Sequence, residues 1–531
     1  MPRLARIDNA TLGGGDQAII DRAYAIAILR HGGEARIPPD CIAPHICCSA
    51  LARFYLSIQI HGCHLLSSGF VEEICMDDLW FEKALLADGW ASDVRISLGG
   101  GRISAITADV RPVARDQRHA VALPGLPNLH SHAFQRAMAG RAEQTDGTEQ
   151  DDFWSWRDRM YQLVGAIDPA AMEAIAAMAF VEMLESGFTR VGEFHYLHHQ
   201  PSGEPYADPA EMAVAMASAS ADTGIALTLL PVLYAHSGFG GAPLDLLQRR
   251  FGHDIDGYGH LLDRCRDLVR GLDGAVLGIA PHSLRAVTPD QLNALLVMAP
   301  SGPVHIHIAE QTGEVEACLA WAGQRPVAWL LDHMPVDPRW CLVHATHADT
   351  AELAAIARSG SVVGLCPVTE ANLGDGIFPA DEFLWAAGRV GIGSDSNVLI
   401  DAAEELRLLE YGQRLMRQRR NVLTAPGLST GRSLFDAAYV GGSQALGVEA
   451  TGLRIGASAD LVVLARDDLP PVGDEAIDRW LFARGNRCID SVWRAGRRVV
   501  TGGRHIARDR IAARYRTAMQ RLHGVTPTRT V

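Results

Sequence analysis

From Leu123 to Asn397 the chain repeats one pattern: a short apolar run rich in Val, Ile and Leu, then a longer Ala- and Leu-rich stretch at helical spacing. The apolar runs end in LPNLHSH (to His132), TRVGEFHY (to Tyr196), LTLLPVLY (to Tyr234) and LGIAPHSLR (to Arg285). Four more follow: VHIHIAE (to Glu310), CLVHATH (to His347), VVGLCPVTE (to Glu370) and VGIGSDSN (to Asn397). Apolar runs of this length fit strands buried on both faces. Stretches such as AAMEAIAAMAFVEMLESG (Ala170–Gly187) and TAELAAIARSG (Thr350–Gly360) predict helices between them. Eight alternating units predict an α/β chain with a (β/α)8 TIM barrel over residues 123–449. The aromatic segment FWSWRDRMY interrupts the pattern and is expected as a long loop crossing above the first strand.

The flanks read differently. Residues 76–122 and 450–505 carry short alternating strands: VRISLGGGRISAI with its Gly turn, then GASADLVVL and SVWRAGRRVVTGG. Chain ends tend to lie close together, so both flanks are expected to build one small β domain. Residues 506–531 predict a helix, RIAARYRTAMQRLHG, and a tail. Residues 1–75 show no sustained period and hold five of the ten cysteines, Cys47 and Cys48 among them. They read as an atypical N-terminal extension, non-native or disordered, with Met76 the natural start.

Composition narrows the function classes. A chain of 531 residues, 48% hydrophobic and 21% charged, is globular and long enough for about two to four domains. The net charge of −14 argues against nucleic-acid binding, which wants a basic face. The Arg-rich stretch from Arg484 onward is the single basic bias, read as a solvated or subunit-contact face. No apolar run reaches the length of a membrane span and no signal-peptide profile opens the chain. The cysteines lack C-x-x-C spacing, so reduced thiols in a cytoplasmic protein are expected.

The candidate chemistry gathers where the predicted strands end, the rim at which such barrels keep their active sites. His130 and His132 stand two apart on the first strand and so share a face. His305 and His307 repeat the spacing on the fifth. With His282, His344 and Asp395 they would meet at one rim. The motifs PGLPNLHSHAFQRAMAG, FWSWRDRMY, GEFHYLHH, APHSLRAV, HIHIAEQ, HATH, CPVTEANLGDG and GIGSDSN resemble, in order, those of the amidohydrolase superfamily, and within it the formimidoylglutamate deiminases. The resemblance runs from about Met76 to the C-terminus and leaves residues 1–75 outside it.

That resemblance implies a metal site of His130, His132, His307 and Asp395, holding one zinc or another divalent ion per chain. His305 is left as a deeper core or outer residue. The bridging Lys of two-metal relatives has no counterpart, because Lys83 is the single lysine and lies outside the barrel. One metal is therefore expected, although a bridging Glu would be an alternative. Asp395 is expected as general base towards a metal-activated water, His344 as its hydrogen-bond partner, and Glu310 as the proton donor to the substrate nitrogen. His347 stays unassigned. The resemblance gives substrate contacts to Gln135, Arg157, Tyr196, His282 and Arg285. Two guanidiniums suit a small dicarboxylate such as an acylated glutamate. The implied reaction is hydrolytic deimination of N-formimino-L-glutamate with release of ammonia, in histidine degradation. The flanking domain is then a β-sandwich and the assembly a homodimer, with neither nucleic acid nor membrane as partner. Two alternatives stand. One is a deaminase of a guanine-like or aminopyrimidine ring, which would want aromatic stacking and few arginines. The other is an inactive metal-binding barrel.

Overall fold

The computed structural model describes residues 77–144, 152–466 and 473–523, all within the compact unit Met76–Val531. The reading of residues 1–75 lies outside the described residues. The fold is mixed α/β. Strands β1 (Asp77–Leu86), β2 (Gly89–Gly99), β3 (Arg102–Thr107) and β4 (Gln117–Pro124) come first, and β4 leads directly into β5 (Leu126–Ser131). Then follow β6 (Phe188–His195), β7 (Ala226–Leu233), β8 (Val276–Leu277), β9 (Ala280–Pro281), β10 (Val304–Ile308), β11 (Trp340–His344), β12 (Val362–Leu365) and β13 (Arg389–Ile392). The last strands are β14 (Leu461–Leu464), β15 (Ile489–Arg494), β16 (Arg497–Thr501) and β17 (Arg504–His505).

The central strands form two parallel arcs. One runs β5-β6-β7-β8, with β9 also on β7; the other runs β10-β11-β12-β13. Parallel bridges Ser131↔Asp395, Ile279↔Val304 and Ser283↔His307 join the arcs at both ends. At the first seam the backbones of His132 and Asp395 interlock: His132 N donates to Asp395 O at 2.9 Å, and Asp395 N to His130 O at 3.0 Å. The side chains of Asn128, Ser394 and Asn397 reinforce this seam, Asn128 Nδ2 donating to Ser394 Oγ (2.7 Å) and Ser394 Oγ to Asn397 Oδ1 (2.6 Å). β5 and β7 are buried along their whole length, which is why they read as continuous apolar runs.

The helices begin where local chemistry directs. Asp168 caps Pro169–Glu185, accepting from Ala171 N, with Pro169 pre-set for the first turn. Helix Thr430–Ala445 lies so close to β13 that a Cβ on Gly441 would sit 1.9 Å from Val390 O, so glycine is required there. Two expectations change. FWSWRDRMY is not a loop but the helix Phe153–Val164, started by a capping box between Asp152 and Ser155. The seventh strand stops at Leu365, because Pro367 starts a helix to Leu373, and Glu370 is therefore helical.

Both flanks enter one eight-stranded sheet, β17-β16-β15-β14-β4-β1-β2-β3, in which β4 from the early segment pairs antiparallel with β14 from the late one. Leu79, Phe81, Val94, Ile96, Leu461, Val463 and Trp493 fill its core. The Arg-rich tail is not a free basic face. Helix Arg508–Leu522 is tied inward by Arg508–Glu185, Arg510–Asp222 (2.6 Å), Arg514–Glu173 and Arg521–Asp168 (2.8 Å). Among the described residues no helix is long and apolar enough to cross a membrane. Cys265, Cys318, Cys341 and Cys366 are free and buried.

Candidate active site

At the C-terminal ends of the parallel strands, four buried side chains converge. His130 and His132 leave β5, His307 leaves β10 and Asp395 follows β13. One ligand atom from each lies within 4.8 Å of all the others. His130 Nε2 stands 3.2 Å from His132 Nε2 and 3.0 Å from His307 Nε2, while Asp395 Oδ1 is 3.5 and 3.2 Å from the first two. A zinc ion with bonds near 2.05 Å requires donor atoms about 3.4 Å apart at the corners of a tetrahedron. The donor set fits such an ion.

Second contacts orient the rings. His132 Nδ1 donates to Phe194 O (3.0 Å) and His307 Nδ1 to His282 O (3.1 Å), which leaves each Nε2 lone pair facing inward. Burial holds all three imidazoles below their ordinary pKa, His130 down to about 3, and so in the neutral form that binds metal. Burial pushes the Asp395 carboxyl up, but hydrogen bonding from His130 and the charges of His132, His130 and His344 outweigh it and hold it low. The backbone is strained here. Ala309, His344, Ala345, Asp395 and Asn397 all have positive φ, between 41° and 67°, at a cost of order 1–3 kcal/mol each. Asn397 Nδ2 restrains that turn through Ser131 Oγ, His132 O and Asp395 O, each at 3.0–3.1 Å.

Beside the donor set lies an acid–base group. His344 Nδ1 meets Glu370 Oε1 at 3.2 Å, and its Nε2 faces Glu310 Oε1 (3.7 Å) and Asp395 Oδ2 (3.8 Å). Burial alone would lower the His344 pKa; Glu310, the bond to Glu370 and Asp395 carry it well above the usual value. Burial, opposed by His344 and aided by Asp395, pushes Glu310 up to about 7. Asp375 lies with Glu310 and His344 and is pushed up to about 9 by burial and then by Glu310. Glu193 Oε1 accepts from Ala133 N (2.8 Å), fixing the turn after His132.

The same cavity is also lined by Gln135, Arg157, Tyr196, His282 and Arg285, together with Phe153, Trp156, Tyr161, Tyr234 and Phe251. Gln135 Nε2 donates to Tyr196 OH at 2.8 Å. Nε of Arg157 and Nε of Arg285 are buried without a hydrogen-bond partner, and the carboxylate facing Arg285, that of Glu314, stands off at 4.0 Å. Donors left this way suit an anion in the cavity. Of the eleven site residues expected from sequence, ten line one cavity, and the other, His130, meets His132 and His307 in the donor set. His305 is remote from that set and donates to Ala445 O at 2.7 Å. His347 N donates to Ala309 O. Glu370, Asp375, Glu193, Tyr161 and Tyr234 were not foreseen. The strand ending LTLLPVLY pointed at Tyr234, and CPVTE contained Glu370, but neither spacing announced a role.

The Amidohydrolase family model matches residues 121–499, which include the whole donor set. The chain belongs to the amidohydrolase family. Within this family, residues 79–120 match the model described as Formimidoylglutamate deiminase HutF, N-terminal domain. The amidohydrolase chain is 50% identical, over 83% of its length and 98% of the relative, to a formimidoylglutamate deiminase of Pseudomonas aeruginosa. A 5-methylthioadenosine/S-adenosylhomocysteine deaminase of Natronomonas pharaonis is 27% identical over 74% of this chain and 83% of the relative. Among solved structures, an amidohydrolase from Brucella melitensis superposes with a TM-score of 0.82 at 52% identity, over 84% of this chain and 100% of that one. A Xanthomonas campestris adenosine deaminase with bound zinc, at 23% identity, shares the fold at a TM-score of 0.70, over 85% and 99%.

Proposed function

We propose that this amidohydrolase deiminates N-formimino-L-glutamate hydrolytically, giving N-formyl-L-glutamate and ammonia in histidine degradation. The observation that carries this reading is the cavity with a His3Asp donor set at one end and two unpartnered buried guanidinium Nε groups at the other. The relationship to a formimidoylglutamate deiminase at half identity over nearly the whole relative supports the same substrate. We read the two arcs as halves of one (β/α)8 barrel, with β8 and β9 as an interrupted strand and the outer sheet as its β-sandwich partner.

His130, His132, His307 and Asp395 would hold one zinc ion. When bound, it supplies Lewis acidity that lowers the pKa of the attacking water and polarises the substrate. The protein's own groups do the rest. Asp395 takes a proton from water as its oxygen attacks the formimino carbon, which is bonded to two nitrogens. His344, fixed by Glu370, hydrogen-bonds the attacking oxygen and steadies its developing charge. Glu310 delivers a proton to the terminal nitrogen, Asp395 hands on to it the proton taken from water, the C–N bond to that nitrogen breaks, and ammonia leaves as the hydroxyl proton passes to Glu310 and the carbonyl forms. Arg157 and Arg285 hold the two carboxylates, with Gln135, Tyr196 and His282 lining the space between. The free buried thiols and the absence of a spanning helix among the described residues support a cytoplasmic protein; the assembly is read as a homodimer.

Ammonia release is measured with N-formimino-L-glutamate, with guanine and 8-oxoguanine, and without substrate, alongside metal analysis. Turnover confined to the first, with about one zinc per chain and loss on chelation, supports the reading. Preference for a purine would replace the substrate. A metal-bearing protein inactive on all three would make it a binding barrel.

A further inference from the structure

Gln248 is 1% exposed and belongs to a loop whose neighbours Leu246 and Leu247 face solvent. The orientation of its side-chain amide is fixed by two contacts. Asp245 N donates to Gln248 Oε1 at 3.2 Å, so Oε1 is the acceptor end, and Nε2 is the end that meets the phenols. Nε2 lies 3.1 Å from Tyr234 OH and 3.4 Å from Tyr161 OH. An amide N–H only donates, so both phenol oxygens accept and each keeps its own hydrogen to give. The Tyr161 oxygen is thus supplied with a donor, and its O–H is left to give into the cavity that Tyr161 and Tyr234 both line.

Tyr161 is one helical turn beyond Arg157 on the helix Phe153–Val164, and the Arg157 guanidinium carbon lies 5.5 Å from its ring. The buried Arg250 fixes the end of that helix by donating to Val164 O and Ile167 O. Arg285, by contrast, follows His282, whose carbonyl holds the donor-set residue His307. Arg285 also feels the charges of Glu314 and Glu310, which sets it beside the acid–base group.

We propose that Tyr161 donates a hydrogen bond to the distal, side-chain carboxylate of the substrate beside Arg157, and that Gln248 acts as a positioning residue, turning that hydrogen into the cavity by donating to the phenol oxygen. The inference rests on the reading of the substrate given above. It makes the site selective for a second carboxylate at glutamate's distance, beyond the charge that Arg157 supplies.

The test compares Tyr161→Phe with wild type on N-formimino-L-glutamate and on N-formimino-2-aminobutyrate, which keeps the α-carboxylate and lacks the distal one. A hydrogen bond to a charged group is worth roughly 10- to 100-fold. Tyr161→Phe is expected to raise KM for N-formimino-L-glutamate by about that factor, with kcat nearly constant. On the analogue the ratio of wild-type to variant kcat/KM is expected to fall to about one. Gln248→Glu, whose carboxylate would accept both phenol hydrogens and turn them from the cavity, should lose more than Gln248→Met. An unchanged KM in Tyr161→Phe, or an equal loss on both substrates, overturns the proposal. Absence of wild-type turnover on N-formimino-L-glutamate would instead remove the substrate reading beneath it.

Discussion

The two ends of the cavity differ in how their polar groups are satisfied. At the histidine–aspartate end the rings of His132 and His307 are tied through Nδ1 to carbonyls, and the turn at Asp395 is held by Asn397. At the arginine end the guanidinium Nε groups have no partner. The arginines of the C-terminal helix sharpen the contrast, since Arg508, Arg510, Arg514 and Arg521 each meet a carboxylate. Burying a guanidinium with a hydrogen bond unmade is costly. Donors left so in one cavity suit an anionic ligand, whereas a prearranged donor set suits a resident ion.

The largest effect should come from breaking the donor set. Asp395→Ala removes a proposed ligand and the general base together, so metal per chain should drop sharply and ammonia release should fall by at least about 10⁴-fold. Metal analysis on the same preparation decides whether the two losses travel together; full metal with lost activity would leave Asp395 a base only. Glu310→Gln should keep its metal and lose kcat by roughly 10²–10⁴-fold. Its carboxyl, raised to about 7, must be protonated to act as an acid, so wild-type kcat should decline as pH rises through about 7. A pH–rate profile of the variant should lack that alkaline limb; an unchanged limb would assign it to another group.

At the arginine end, Arg285→Met should retain the metal and lose about 10²–10³-fold in kcat/KM, through lost charge-assisted bonds and positioning. Steady-state kinetics indistinguishable from wild type would end the dicarboxylate reading while leaving the hydrolase intact. The smallest effect should come from the paired set. Arg510→Ala should leave kinetics unchanged and cost under about 1 kcal/mol, a shift of a few degrees at most in thermal melting, because its partner Asp222 keeps Arg514.

The two ends also differed in how openly the sequence announced them. His130, His132, His307 and Asp395 were readable because strand period and strand end confine such residues to one rim, however far apart they lie in the chain. Residues on helices and loops had no such confinement. Tyr161 is hidden because the aromatic segment FWSWRDRMY lacks a clean apolar period, and the Asp152–Ser155 capping box is what makes it a helix. Glu370 was placed on a strand end until Pro367 redirected the chain into a helix, from which it reaches back to His344. Gln248 sits in a loop without period, and its role depends on the direction of an amide, which spacing does not encode. The tail arginines read as a solvated face, and Arg510 and Arg521 are exposed, but their acidic partners Asp222 and Asp168, 288 and 353 residues earlier, could not be read from spacing.

The seam between β5 and β13 also sets a timetable. Asn128 and Ser394, which close it, are 266 residues apart in the chain. At typical rates of synthesis, the ribosome needs on the order of 10–50 s to make that stretch. For most of it, once they have cleared the exit tunnel, His130 and His132 are outside the ribosome while Asp395 has yet to be made. The nascent chain thus carries an exposed pair of imidazoles, open to any passing soft cation, before the carboxylate that completes the donor set exists. The reciprocal backbone bonds of His132 and Asp395 arrive with the final strand, so the last piece of the parallel sheet to be translated is also the one that completes the site.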